Sequence, residues 1–137
     1  YWSMLALAPG RVPASAREAD FAAAVAALEQ AGRRVEARES YRALLGRWPD
    51  NLVGLIGLGN VEYTLQDMPA AERAFRRASE AHPQSDIALN NLAHVLALLG
   101  RLADAESAAR TAVALEGPSL AEARKTLEAI LAQRKQP

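Results

Sequence analysis

Apolar and polar positions along this chain repeat on a ruler of 34 residues. Phe21, Leu55 and Leu89 stand on it, as do Val25, Gly59 and Ala93, and Ala37, Ala71 and Ala105. Tyr41, Phe75 and Ala109 form another set, Leu44, Ala78 and Ala112 another, and Pro49 and Pro83 mark the same interval. Each period holds two helical stretches of about 11–14 residues, parted by a short turn at Gly32-Arg33, Gln66-Asp67 and Gly100-Arg101. The boundaries carry their own signals. Ser15 with Glu18 predicts a capping box that opens the first helix, and Ser119 with Glu122 predicts one that opens a last helix over about 120–133. Pro69 suits a first helical turn, where its missing N–H has no partner to lose. Pro49 and Pro83 end the helices before them by steric clash and a lost donor.

The residue sizes on the ruler state how the helices pack. Two helices approach to about 8–10 Å only where the contact carries little bulk. Gly59 or Ala93 on a first helix and Ala71 or Ala105 on a second supply such a contact. Phe21, Leu55, Leu89, Tyr41 and Phe75 then fill the space between successive hairpins. A lone hairpin cannot cover its apolar face, so about three repeats and a polar-backed terminal helix are needed. The expectation is an all-α chain of seven helices, as three hairpins and a cap.

The segment Leu55-Ile56-Gly57-Leu58-Gly59, followed by Ala71, Phe75, Ala78 and Pro83, resembles the tetratricopeptide repeat, and Asn91-Leu92-Ala93 with Ala105 continues the pattern. The resemblance implies a right-handed α-solenoid with repeats at about 18–51, 52–85 and 86–119 and a cap helix at about 120–133. It departs from the family at Leu55 and Leu89, where an early aromatic is usual, and at Leu28, Glu62 and Leu96, where a later tyrosine is usual. In the family the first helix of each repeat lines an inner groove. The matching places hold Ala19, Ala22, Ala23, Ala26 and Glu29, then Val53, Ile56, Gly57, Asn60 and Tyr63, then Ile87, Asn90, Asn91, His94 and Ala97. Asn60 and Asn91 match two groove asparagines that, in some members, grip a peptide's terminal carboxylate. Beyond them Arg124 or Lys125 offers one basic contact, but Ile56 and Ala121 hold the other basic places. One cation with two amides is a weak set for a carboxylate. The implied ligand is therefore an internal or apolar peptide, with Ile56, Tyr63 and Ile87 as side-chain pockets and Asn60, Asn90, Asn91 and His94 as polar contacts.

Composition narrows the chemistry. Alanine, leucine, arginine and glutamate dominate, half the residues are apolar and 5% are aromatic, which favours helices. Sixteen basic residues balance sixteen acidic ones, so no electrostatic footprint for nucleic acid or an anionic membrane is present. The chain has no cysteine, which excludes disulfides, thiolate metal sites and a cysteine nucleophile within it. His82 reads as a helix-end residue beside Pro83, and His94 has no second histidine at ligand spacing, so no metal, cofactor or catalytic set is expected. The Gly54, Gly57, Gly59 run lacks the strand and lysine of a phosphate loop. Arg33, Arg34, Arg38, Arg42 and Arg47, like Arg73, Arg76 and Arg77, read as a solvated face interleaved with Glu36, Glu39, Glu72 and Glu80.

Residues 1–14 read as an extended segment or a linker from a preceding domain. Tyr1-Trp2-Ser3-Met4-Leu5-Ala6-Leu7-Ala8 is apolar but far short of the ~20 residues that span a bilayer. Pro9-Gly10 and Pro13 follow. This junction resembles bacterial proteins, associated with the cell envelope, that place a bacteriocin-processing-type cysteine peptidase before tetratricopeptide repeats. On that resemblance the peptidase chemistry lies outside this chain. The functional expectation is a scaffold that binds protein or peptide and has no activity of its own. A homo-oligomerisation domain is the alternative, and a helical-repeat RNA binder is disfavoured by the balanced charge.

Overall fold

The computed structural model describes Val12 and residues 15–136. Among them run seven helices and no strand: α1 (Glu18–Gln30), α2 (Arg34–Arg47), α3 (Leu52–Thr64), α4 (Met68–Ala81), α5 (Asp86–Leu98), α6 (Leu102–Ala114) and α7 (Leu120–Arg134). The chain divides into two compact units between Ala71 and Glu72, within α4. The expectations for the extended segment and its junction fall almost wholly outside the described residues.

In the first unit α1, α2 and α3 pack on one another. Phe21, Val25 and Leu28 of α1, Ala37, Tyr41 and Leu44 of α2, and Leu55 and Val61 of α3 are buried. Each large apolar side chain there contributes about 1.5–3 kcal/mol by leaving water. The Tyr41 hydroxyl donates to Glu29 Oε1 at 2.6 Å. Burial first, then the bond to Glu29 and its charge, push the phenol well above its ordinary range. Gly57 lies against the same ring, where a Cβ would overlap the ring atoms.

Glu62 is buried at 2% exposure, facing Arg38 at 3.6 Å and Arg42 at 3.3 Å. Arg33, Arg34, Arg42 and Arg47 lie on the solvated face that the sequence predicts, interleaved with Glu36 and Glu39, while Arg38 is half-buried, and Arg38 and Arg42 have this further role. Both neutralise a carboxylate standing where the family usually has tyrosine, because a buried charge persists only when paired. The Glu72–Arg76 pair that the one-turn spacing predicts does form, at 2.9 Å.

The start of α1 also differs from expectation. Arg17, not Ser15, occupies the N-cap, and no side chain caps the helix. The Glu18 carboxylate instead accepts a 2.7 Å bond from Asn51 Nδ2, while Asn51 Oδ1 caps α3 through the N–H of Gly54 at 2.7 Å. One asparagine thus ties the first turn of α1 to the first turn of α3.

In the second unit α5 pairs most extensively with α6, and α7 packs on both. Phe75, Leu92, Val95, Leu96 and Ile130 fill its core. Ala105, Ala109 and Ala112 give α6 a wholly buried face of minimal bulk, the condition for close helix approach. Leu89, read as a core filler, is only half-buried. At α7 the second expected capping box is also absent, since Ser119 makes no side-chain cap. Its backbone N–H donates to Asp86 Oδ2 at 2.7 Å, so an acid at the start of α5 satisfies the start of α7. Two carboxylates are held low on the surface of this unit. Arg76 bonding, reinforced by Arg101, lowers Glu72, and Arg110 bonding, reinforced by Arg134, lowers Glu106.

The turns inside the three hairpins share one geometry. The N–H groups of Gly32 and Arg33 bond to the carbonyls of Glu29 and Leu28. Gln66 and Asp67 repeat this on Tyr63 and Glu62, and Gly100 and Arg101 on Ala97 and Leu96. This paired closure needs a left-handed residue. Gly32 has φ 80° and Gly100 φ 81°, while Gln66 adopts φ 65° despite its Cβ.

Candidate functional site

Each unit presents one first-helix stripe to solvent beside a cavity. In the first unit, Val53, Ile56, Asn60 and Tyr63 follow one another at helical spacing on α3. Val53 is 51% exposed, Asn60 and Tyr63 are also exposed, and Ile56 is half-buried. A cavity of about 340 Å³ is lined by Glu18, Ala19, Ala22, Ala23, Asn51 and Val53. Small alanines on α1 make its floor apolar, and Glu18 and Asn51, already bonded to each other, form its polar rim.

In the second unit, α5 presents Ile87, Asn90, Asn91, His94 and Leu98. Ile87 is 40% and Leu98 54% exposed, which is unusual for large apolar side chains spaced three turns apart on one stripe. The Asn90 side-chain oxygen is buried without a hydrogen-bond partner. A cavity of about 300 Å³ separates α5 from α7, lined by His94, Ala97, Leu98, Thr126, Ala129, Ile130 and Gln133. The α7 residues recur at spacings of three and four, so they form one stripe facing α5. Thr126 spends its hydroxyl proton on the Glu122 carbonyl at 3.0 Å, leaving its oxygen as an acceptor.

Of the residues singled out from sequence, Ile87, Asn90, Asn91 and His94 share α5, and His94 alone among them lines the cavity. Ile56, Asn60 and Tyr63 share α3 in the other unit. Arg124 and Lys125 are exposed on α7 and do not line the cavity, being about 200° and 100° of helical rotation from Thr126. Leu98, Thr126, Ile130 and Gln133 were missed. The 34-residue ruler reaches two of them, since Thr126 and Ile130 stand 34 residues after Leu92 and Leu96, whereas the sequence reading takes only Arg124 and Lys125 from the terminal helix. Among the described residues no group of three or more His, Asp or Glu is placed to hold a metal ion, and no helix is long and apolar enough to cross a membrane.

This architecture is one of paired helices that repeat, and comparison with known proteins gives it a class. Residues 56–119 match the family model described as tetratricopeptide repeat. No curated protein sequence matches it. Solved structures do. The first tetratricopeptide repeat domain of Spaghetti (RPAP3), bound to the HSP90 peptide SRMEEVD, is 18% identical with a TM-score of 0.80, covering 87% of this chain and 94% of that one. PcrH from Pseudomonas aeruginosa is 24% identical with a TM-score of 0.79, covering 91% and 99%. The type III secretion chaperone SycD of Yersinia enterocolitica, in complex with a peptide of the translocator YopD, is 19% identical with a TM-score of 0.78, covering 90% and 100%. At these identities the likeness is one of fold.

Proposed function

We propose that this chain is a scaffold module that binds a segment of another protein and carries out no chemistry of its own. The observation that carries the reading is the α5 stripe, where Ile87 and Leu98 stand exposed on either side of Asn90, Asn91 and His94, next to a cavity of about 300 Å³. Large apolar side chains held in water along one helix face gain by burial against a partner. The amides between them can pair with a partner's backbone N–H and C=O groups. Two of the structurally similar proteins are complexes with short peptides, which supports the reading by analogy of fold. Ile56, Asn60 and Tyr63 on α3 are proposed as a second contact stripe of the same kind, and Arg124 and Lys125 as exposed cations available to a bound segment.

The test is titration of the isotope-labelled chain with a pool of unstructured peptides, following backbone amide shifts. Shifts clustering on α5, abolished in Ile87→Ser and weakened about fivefold or more in Asn91→Ala, are expected. Peptides that bind the wild type and both variants equally would place the site elsewhere.

A further inference from the structure

We propose that two copies of this chain associate through α7, packed antiparallel on itself around Leu127. The inference goes beyond the segment-binding reading and does not rest on it, since it concerns the flank of α7 turned away from the α5 cavity. Three stripes divide that helix. Ala123 and Ile130 are buried, and Thr126 and Gln133 line the cavity. Leu120, Leu127 and Leu131 form the third. They lie within about 40° of one another and about 100° or more from Thr126, and all three are only half-buried. The repeat sharpens the contrast. Leu127 stands 34 residues after Ala93, which is wholly buried on the paired helix α5. The larger Leu127 keeps part of its surface in water, on the last helix among the described residues. Apolar side chains in a row along one helix gain by packing on a second such row.

Charge makes a second copy the occupant of that row. Arg124 and Glu128 are exposed along the outer edge of the leucine stripe, and among the described residues neither enters an ion pair, although they stand one turn apart. In an antiparallel pair related by a two-fold axis, one edge of a helix meets the same edge of its partner. Setting Arg124 level with the partner's Glu128 fixes the register, and symmetry forms that pair twice. The same register brings Leu120 within one residue's rise, about 1.5 Å, of the level of the partner's Leu131, again twice. The two Leu127 side chains then stand astride the two-fold axis, about 3 Å apart along the helices. A leucine core with reciprocal ion pairs on its open edge is complementary to itself, which a wholly basic or wholly acidic edge is not. With 15 residues α7 is about 22 Å long, so the contact belongs to the small, transient class, with a Kd on the order of 100 μM. In the dimer the partner engages Arg124, and Lys125 remains as the exposed cation available to a bound segment.

Sedimentation equilibrium of the full chain at low salt, from about 10 μM to about 1 mM, measures the association. Arg124→Glu sets like charge against the partner's Glu128, and Glu128→Arg does so against the partner's Arg124. Each variant alone should therefore associate about tenfold more weakly. The double exchange Arg124→Glu/Glu128→Arg should associate as the wild type does. An equimolar mixture of the two single variants should also recover the wild-type affinity, because every facing pair is again opposite in sign. Leu127→Ala, at the two-fold axis, should weaken the dimer about fivefold. Both charged positions are exposed, and unchanged circular dichroism would show that the variants fold. A chain that stays monomeric at about 1 mM overturns the inference. So does a dimer that both single variants form unweakened, since its contact then lies on another face. A dimer weakened by each single variant but not restored in their mixture overturns it too, because the two residues then do not face each other. None of these outcomes bears on peptide binding along α5.

Discussion

Asp86 and Ser119, 33 residues apart in the chain, are joined by a 2.7 Å bond from the Ser119 N–H to the Asp86 carboxylate. Asp86 is 2% exposed, and Gly117 sits so close that a Cβ there would lie 2.7 Å from the carboxyl carbon. Removing the carboxylate in Asp86→Ala leaves an orphaned N–H at the head of α7 and should cost about 1–3 kcal/mol. Asp86→Asn keeps an acceptor oxygen and should recover most of that loss. Gly117→Ala should destabilise by crowding the same group. Urea unfolding of the three variants, at constant m-value, checks the set.

Gly57 and Tyr41 make a second test, in the first unit. A methyl group at position 57 cannot coexist with the ring, whose far end is anchored on Glu29. Gly57→Ala should therefore destabilise by about 2–3 kcal/mol despite the gain in helix propensity. Tyr41→Phe loses only one partly buried hydrogen bond and should cost about 1 kcal/mol. Thermal melts of the two variants should rank in that order, and the opposite order would show that the ring is free to move.

The three hairpin turns predict opposite effects for formally opposite substitutions. Gln66 holds a left-handed backbone that costs a residue with a Cβ about 1 kcal/mol. Gln66→Gly should stabilise by a sizeable fraction of that amount. Gly100→Ala should destabilise by about 1 kcal/mol for conformational reasons alone, because a Cβ there meets nothing within 4 Å. Chemical denaturation of both variants measures the pair.

Acid should weaken the second unit in a defined window. Glu72 and Glu106 both titrate below the ordinary 4.5, held down mainly by bonds from Arg76 and from Arg110. A carboxyl lowered in the folded state contributes stability that is complete above its unfolded pKa and is lost as pH falls through the lower folded one. The loss should thus begin near pH 4.5 and continue below it. Glu72→Gln and Glu106→Gln should flatten the acid limb of the melting-temperature profile by lowering its neutral-pH plateau, with little change at the acid end. High salt should shrink the difference, since both pairs are exposed to solvent.

Sequence by itself determined the repeat, the helix class and most helix ends. Period 34, with proline after α2 and α4 and small residues at fixed places, leaves few alternatives to stacked helical hairpins, because each constraint is local or recurs identically. The resemblance to the repeat family implied that Ile87 and His94 face a groove, and both are exposed on α5. Tertiary structure decided what depends on partners far along the chain. Capping boxes at Ser15 and Ser119 were reasonable local expectations, yet Asn51 engages Glu18 and Asp86 engages Ser119 across 33 residues each, and a distant carboxylate or amide outcompetes the adjacent one when packing holds it in place. Glu62 looked like a tolerated departure from a tyrosine. Only packing placed Arg38 and Arg42 around it, because a carboxylate removed from water requires its counter-charges wherever the fold can bring them. The cavity beside His94 is of the same kind, since it is empty space between α5 and α7, and no single helix's pattern specifies a gap between two.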